Sequence, residues 1–137
     1  MAVVELVPTG IAVPVGVTCG ERVDIPQGGS CKVTFKVKNT GTLDVTFDYV
    51  VHILDADGVI VGKTSDHSGI TVGSGEEQPV TTREIVIDES AAIGLGKARV
   101  TIIDHRTGDV LDQEECEIVN IVTGIAAEIV SISVAKA

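Results

Sequence analysis

Three histidines, His52, His67 and His105, carry the side chains best suited to bind a transition metal or to transfer a proton at neutral pH. They are far apart in the sequence. None has a second histidine or a cysteine at the short spacing that zinc sites use. We therefore expect each of them to be a surface or turn residue, and the sequence predicts no metal ligand.

The run Ser65-Asp66-His67-Ser68 contains the residue types of a hydrolase triad. In known triads the three residues come from separate parts of the chain and converge in space, which adjacent residues of one loop do not do. The Gly-x-Ser-x-Gly turn that exposes a nucleophilic serine is also missing. The sequence therefore predicts no catalytic residue, and we expect a protein that is not an enzyme.

The residues Asp55-x-Asp57-Gly58 resemble the opening of a calcium loop. Such a loop needs a third oxygen ligand and a glutamate at its twelfth position, where this chain has Asp66. A hairpin turn is the preferred interpretation, because a glycine supplies the positive φ of a tight turn.

Two acidic pairs and one glycine-rich run complete the candidates. Glu76-Glu77 and Glu114-Glu115 would need a desolvated cleft to act as acid and base, and we expect solvated charges instead. Gly73-Ser74-Gly75 is followed by two glutamates, which would repel a phosphate. No cofactor-binding residue and no cofactor are predicted.

The composition favours strands over helices. Hydrophobic residues make up 44% of the 137 residues but aromatic residues only 2%, so the apolar content is largely Val, Ile and Ala. Branched side chains suit a pleated sheet, and 15 glycines supply turn positions. We expect one all-β domain over residues 1–137 with apolar terminal strands.

Two strands, residues 31–38 and 43–54, show the clearest alternation of apolar and polar side chains. The inward phase includes Phe35 in the first strand and Leu43, Phe47 and Tyr49 in the second. Phe35, Phe47 and Tyr49 are all the aromatic residues of the chain. These aromatic residues are predicted to form the centre of the core. Further strands are predicted at residues 2–7, 11–17, 22–25, 59–64, 80–87, 97–104, 109–118 and 128–134, with a weak strand at 70–72 in a polar connection, 65–78.

Two segments leave an alternative open. Residues 89–92 could form one helical turn. Ile118, Ile121, Val122, Ile125, Ile129 and Ile132 fit a helical stripe. For the latter segment, Gly124 and the prevalence of Ile and Val favour a strand.

The stretch GGSCKVTFKVKNTGTLDVTFDYVVHILDADGVIVG joins a glycine-rich turn, an alternating strand, Asn-Thr-Gly and a second alternating strand. In these features residues 21–104 resemble the CARDB-type modules, which are immunoglobulin-like domains of prokaryotic cell-surface proteins associated with adhesion. The resemblance implies an immunoglobulin-like antiparallel β-sandwich of about 7–9 strands. The tryptophan and paired cysteines of antibody domains are missing.

The three cysteines, Cys19, Cys31 and Cys116, cannot all pair within one chain. We expect buried free thiols. The alternatives are one disulfide, Cys19–Cys31 or Cys31–Cys116, and a bridge between two chains.

The formal net charge of −10 argues against partners that are nucleic acids or anionic lipids. Because the aromatic residues are assigned to the core, the surface lacks the stacking platforms of carbohydrate modules, which argues against a carbohydrate partner. No run of 18 apolar residues predicts a transmembrane helix. Residues 1–17 have an early acidic residue, Glu5, and no basic start, so no secretory signal is predicted.

Two classes of function remain. The first is a structural subunit of a larger assembly, such as a virion decoration, a tail component or a surface filament. It would contact other protein subunits, as a homo-oligomer or a lattice, through sheet edges and through residues 1–17 or 126–134. The second is an adhesion-type module that stays a monomer. Both place the protein on a virion or at the cell exterior.

Overall fold

The computed structural model describes residues 4–6, 11–12, 18–124 and 130–136, and all regular secondary structure in these residues is β-strand. In chain order the strands are β1 (Val4–Leu6), β2 (Ile11–Ala12), β3 (Thr18–Cys19), β4 (Val23–Pro26), β5 (Ser30–Cys31), β6 (Thr34–Asn39), β7 (Val45–Leu54), β8 (Ile60–Val72), β9 (Glu77–Thr81), β10 (Ile85–Val86), β11 (Gly94–Asp104) and β12 (Val110–Val122).

Two sheets form the layers of a sandwich, as the sequence predicts. The larger sheet has the order β4-β12-β11-β7-β8, and the smaller has the order β1-β6-β9. Two short pairs, β10-β5 and β2-β3, lie beside them. The number of strands exceeds the expected 7–9 because breaks divide predicted strands. Lys32 and Val33, for example, separate β5 from β6.

One strand pair departs from the antiparallel arrangement. The edge strand β4 runs parallel to β12, with Val23 opposite Val119 and Ile25 opposite Ile121. Parallel strands need a long connection between them. The rest of the sandwich provides that connection.

The core lies between the two sheets and is centred on the predicted aromatic residues. Phe35 and Phe47 are completely buried, and Tyr49 is 4% exposed. The rings of Phe35 and Tyr49 meet edge to face, with centroids 5.3 Å apart. The alternation of β6 and β7 therefore predicted the inward faces correctly.

Leu43, which the alternation also placed inside, is 61% exposed. The strand β7 begins only at Val45, so Leu43 lies in the preceding loop and does not share the pleat that gives Val45 and Phe47 their direction. The prediction for Leu43 is wrong.

The polar connection predicted at residues 65–78 is wrong over 65–69, because β8 continues without interruption to Val72. The weak strand predicted at 70–72 is the end of β8, and residues 73–76 connect it to β9. The strand β8 lies at the edge of the larger sheet, where much of its length faces solvent. A polar composition is compatible with that position, and it hides the strand from a search for apolar alternation.

The disulfide joins Cys19 to Cys116, and neither predicted pairing forms. The Cα atoms of these two cysteines are 5.7 Å apart, within the range that a disulfide spans. Cys31 is a free thiol and lies opposite Ile85 in the β5–β10 pair. The expectation of three free thiols is therefore wrong as well.

Neither of the two segments for which a helix was an alternative is helical in the described residues. Residues 118–122 belong to β12, so the helical alternative fails there, and residues 125–129 lie outside the described residues. Residues 89–92 form a turn in which Asp88 accepts hydrogen bonds from Ser90, and no helical turn is present. Residues 130–134, predicted as the last strand, form no strand in the single chain.

Candidate functional site

Two of the three histidines meet at one buried carboxylate. Asp48 on β7 is 9% exposed, and its Oδ1 lies 2.8 Å from His105 Nδ1. Its Oδ2 lies 3.6 Å from His67 Nδ1 on β8. Sequence separation hid this cluster, because β7, β8 and the β11–β12 turn become neighbours only in the sheet. Among the described residues no group of His, Cys, Asp or Glu is arranged to hold a metal ion.

His52 lies apart from that cluster, on β7 between Lys63 of β8 and Arg99 of β11. Its partial burial and the positive charges of Lys63 and Arg99 lower the pKa of the His52 imidazole. His52 is therefore neutral at physiological pH, and no acidic partner orients it for proton transfer in the described structure.

The run Ser65-Asp66-His67-Ser68 does not assemble a triad. The Ser68 hydroxyl donates to Asp66 Oδ1 at 2.6 Å, and not to a histidine. The imidazole of His67 is directed to Asp48, as described above. The hydrogen bonds from Ser68 lower the pKa of Asp66, which is therefore a charged acceptor within β8. No described contact activates either serine as a nucleophile.

The Asp55 carboxylate serves the hairpin turn, as the sequence predicts. Its Oδ1 accepts hydrogen bonds from the backbone N–H groups of Asp57 and Val59, and Gly58 has a φ of 79°. Both oxygens of the Asp55 carboxylate thus accept hydrogen bonds from the protein backbone.

A groove of about 550 Å³ opens at the other end of the sandwich. We call it the acidic groove. Its walls come from the loop before β7, the start of β7 and the β11–β12 hairpin, and they include Arg106, three carboxylates and four aliphatic side chains. The aliphatic residues are Leu43, Val45, Val110 and Leu111, and the carboxylates are those of Asp44, Asp104 and Asp109.

The hairpin wall of the groove is held by its own backbone. Asp104 N–H donates to Asp109 O at 2.8 Å, and Gly108 N–H donates to Asp104 O at 2.9 Å. The Asp104 carboxylate accepts the N–H groups of Arg106 and Thr107, and these bonds lower the pKa of Asp104. Asp104 therefore stays negative at neutral pH.

The opposite wall depends on Asn39, which is completely buried at the end of β6. Its Nδ2 donates to Leu43 O at 2.7 Å and to Val72 O at 3.1 Å, and its Oδ1 accepts the N–H of Gly41. The predicted Asn-Thr-Gly turn is therefore a fixed loop that presents Leu43 to solvent. The exposure of Leu43 and Val110, 61% and 63%, gives the groove an apolar rim.

A second unusual surface is the segment 130–136, which we call the exposed segment. Val130, Ile132 and Val134 are 85%, 83% and 95% exposed. They alternate with Ser131 and Ser133, so in an extended conformation the three apolar side chains point to one side. This is the sequence pattern of a half-buried strand, but none of the residues that the structure describes covers its apolar side.

Two of the sheet edges, β8 and β9, have features that limit the addition of a partner strand. Along β8, three carbonyl oxygens already accept hydrogen bonds from donors outside the sheet. Val61 O accepts from Asp88 N–H, Ser65 O accepts from Arg83 Nη2, and Val72 O accepts from Asn39 Nδ2. The edge strand β9 contains Pro79, which has no N–H to donate. Both features protect an edge against strand addition.

No helix in the described residues is long and apolar enough to cross a membrane.

The fold is similar to that of several solved domains. The chain aligns with a β-glucuronidase of Bacteroides uniformis with a TM-score of 0.55 and 14% identity, over 83% of this chain and 12% of that chain. It aligns with the C-terminal domain of wzt with a TM-score of 0.54 and 13% identity, over 98% of this chain and 81% of that chain. For the CARDB domain of the PF1109 protein from Pyrococcus furiosus, solved with di-metal ions, the TM-score is 0.47 and the identity is 16%, over 89% of this chain and 88% of that chain.

The two-sheet all-β architecture and the first two of these similarities show an immunoglobulin-like β-sandwich. The chain spans only 12% of the length of that β-glucuronidase, so the similarity concerns a small part of the enzyme. No protein-family model matches the chain, and no curated protein is similar to it in sequence.

Proposed function

We propose that this chain is a non-enzymatic, immunoglobulin-like module that acts as a structural subunit of a larger assembly through protein–protein contacts. The observation that carries the proposal is the exposed segment, with three branched apolar side chains at alternating positions, each more than four-fifths exposed. A virion component and a surface filament are both assemblies of this kind.

The size of the apolar surface suggests a weak individual contact. Burying a valine or isoleucine side chain stabilises a complex by about 1.5–3 kcal/mol. Three such side chains only partly offset the cost of association, which is about 4–15 kcal/mol. Main-chain hydrogen bonds of an added strand, or charge pairs, must supply the rest. We therefore expect association that rises with protein concentration.

Sedimentation equilibrium over a range of protein concentrations tests this proposal. The wild-type chain is expected to show a mass that rises with concentration. A variant with Val130→Ser, Ile132→Ser and Val134→Ser is expected to stay a monomer. A wild-type chain that remains a monomer up to millimolar concentration would contradict the proposal.

A matched control separates the exposed segment from apolar surface in general. Val59, Val86 and Ile93 are also exposed, at 56%, 67% and 60%, and have the same residue types. Their joint replacement by serine is expected to leave the concentration dependence unchanged. Equal loss of association in both triple variants would mean that the contact is non-specific.

The alternative function is an adhesion-type module of a prokaryotic cell-surface protein. The Cys19–Cys116 disulfide supports this reading and a location at the exterior of a cell or virion, because disulfides persist mainly in oxidising compartments. This alternative predicts a monomer at all concentrations, so the sedimentation experiment distinguishes the two functions.

A further inference from the structure

We infer that the exposed segment of one copy of this chain binds in the acidic groove of a second copy. The inference rests on the proposed function and adds the identity of the partner, a second copy of this chain, and the surface that receives it.

The chemistry of the two surfaces is complementary. The exposed segment carries three aliphatic side chains followed by a basic one, Lys136. The groove carries an aliphatic rim beside three carboxylates and one guanidinium, a formal excess of negative charge. The rim can cover apolar side chains of the segment, while the carboxylates attract the Lys136 ammonium.

The exposed segment does not occupy the groove of its own chain, because Val130, Ile132 and Val134 are 85%, 83% and 95% exposed. Val110 at the groove and Val122 near the segment are the first and last residues of β12. A strand of that length spans roughly 35–40 Å. The chain from Val122 to Val130 reaches at most about 29 Å even when fully extended. Val130 therefore cannot enter the groove of its own chain.

Each copy consequently offers a donor segment and a separate acceptor groove. Contacts of this head-to-tail kind join two different surfaces, so they form rings when the rotation closes and filaments when it does not. The protected edges of β8 and β9 argue against lateral pairing of sheets at these two strands.

Two single substitutions in the full-length chain test the inference. Ile132→Asp removes the central anchor of the segment and leaves the groove intact. Leu43→Lys removes part of the rim and repels Lys136, and leaves the segment intact. Each variant alone is expected to associate at least about tenfold more weakly than the wild type. Circular dichroism and thermal unfolding serve as controls, because both residues are exposed and the fold is expected to be unchanged.

The decisive measurement is the mass of an equimolar mixture of the two variants. One intact groove and one intact segment remain, so the mixture is expected to form a 1:1 heterodimer that cannot grow further. A mixture that stays monomeric overturns the inference. The inference is also overturned if Ile132→Asp abolishes association and Leu43→Lys leaves it unchanged. In that case the proposed function stands. A monomeric wild-type chain overturns both.

A charge exchange tests the polar part of the contact. Lys136→Glu and Asp109→Lys are each expected to weaken association, and the double variant is expected to recover part of the loss. Lys32→Glu is a control charge reversal at an exposed position outside the groove. A double variant that associates more weakly than either single variant contradicts the docking of Lys136 in the acidic groove.

Discussion

The Asp55 carboxylate accepts a hydrogen bond from the backbone N–H of Ala92, with an Oδ2···N distance of 2.9 Å. The two residues belong to different connections, the β7–β8 turn and the β10–β11 connection. With the bonds from Asp57 and Val59, one buried side chain therefore satisfies three backbone donors and joins two loops at one end of the sandwich.

Replacing Asp55 is expected to destabilise the fold. Asp55→Ala leaves three N–H donors without their acceptor, and we expect a loss of about 2–4 kcal/mol in the free energy of unfolding. Asp55→Asn retains one carbonyl oxygen and is expected to lose less. Urea unfolding followed by circular dichroism measures both, and Asp57→Ala, at the exposed position of the same turn, is the matched control. Equal stabilities of Asp55→Ala and the control would contradict this role.

The stability of the protein is expected to fall in acid. The N–H of Ala92, followed by those of Val59 and Asp57, lowers the pKa of Asp55 below its usual value of 3.8. A carboxylate with a lowered folded-state pKa stabilises the fold above its unfolded pKa, and this contribution is lost as the pH falls through the folded pKa. Bonds from Ser90 lower the pKa of Asp88 in the same way.

Urea midpoints measured from pH 8 to pH 2 test the acid sensitivity. We expect constant stability down to about pH 5 and a decline below about pH 4. The Asp55→Ala variant should show a shallower decline, because it lacks one of the carboxylates that lose their charge. A parallel decline in both proteins would show that the Asp55 carboxylate contributes nothing to the acid transition.

The Cys19–Cys116 disulfide closes a loop with a sequence separation of 97. In the chain-entropy description, removing a cross-link of this size costs about 2–5 kcal/mol. We expect this loss in Cys19→Ser/Cys116→Ser, and a much smaller change in Cys31→Ser. Alkylation of the unfolded, unreduced protein is expected to modify one thiol per chain. Modification of three would show that the disulfide is absent.

The aromatic core is expected to respond strongly to truncation, and the groove rim weakly. Phe47→Ala is expected to cost about 3–5 kcal/mol, because it removes a completely buried ring. Leu43→Ala is expected to change the stability by less than about 0.5 kcal/mol, because Leu43 is already in solvent. Comparable losses in the two variants would place Leu43 in the core after all.

Gly96 occupies a position where any side chain would collide with the backbone. A Cβ at this residue would lie 2.0 Å from Leu54 O on the neighbouring strand. Gly96→Ala is therefore expected to cost several kcal/mol or to prevent folding. Gly75→Ala is a useful comparison, because Gly75 has a φ of 75° but no neighbouring atom within 4 Å, and about 1 kcal/mol is expected there. A well-folded, stable Gly96→Ala protein would refute the close approach.

The sequence was most informative where one physical pattern determines the local structure. The alternation in β6 and β7 predicted that Phe35, Phe47 and Tyr49 are buried, because one face of each strand is inside and the other is in solvent. The Asp57-Gly58 turn was predicted for a similar reason, since the backbone there needs the conformational freedom of glycine.

Most errors of the sequence-based prediction concern relationships between distant segments, and one concerns the start of a strand. The Cys19–Cys116 pair and the parallel β4–β12 pair depend on which strands become neighbours, and no local pattern specifies this. The acidic groove was missed for the same reason, because its two walls come from separate loops. Leu43 was assigned to the core because its phase matches β7, although the strand begins two residues later.

The position of the disulfide also determines how the domain responds to a pulling force. A load applied at the two ends of the chain passes through the covalent bond between Cys19 and Cys116 and bypasses the residues between them. Only the stretches before Cys19 and after Cys116 can be drawn out, while the aromatic core, which lies within the closed loop, carries no tension. Reduction of that single bond would make nearly the whole chain extensible.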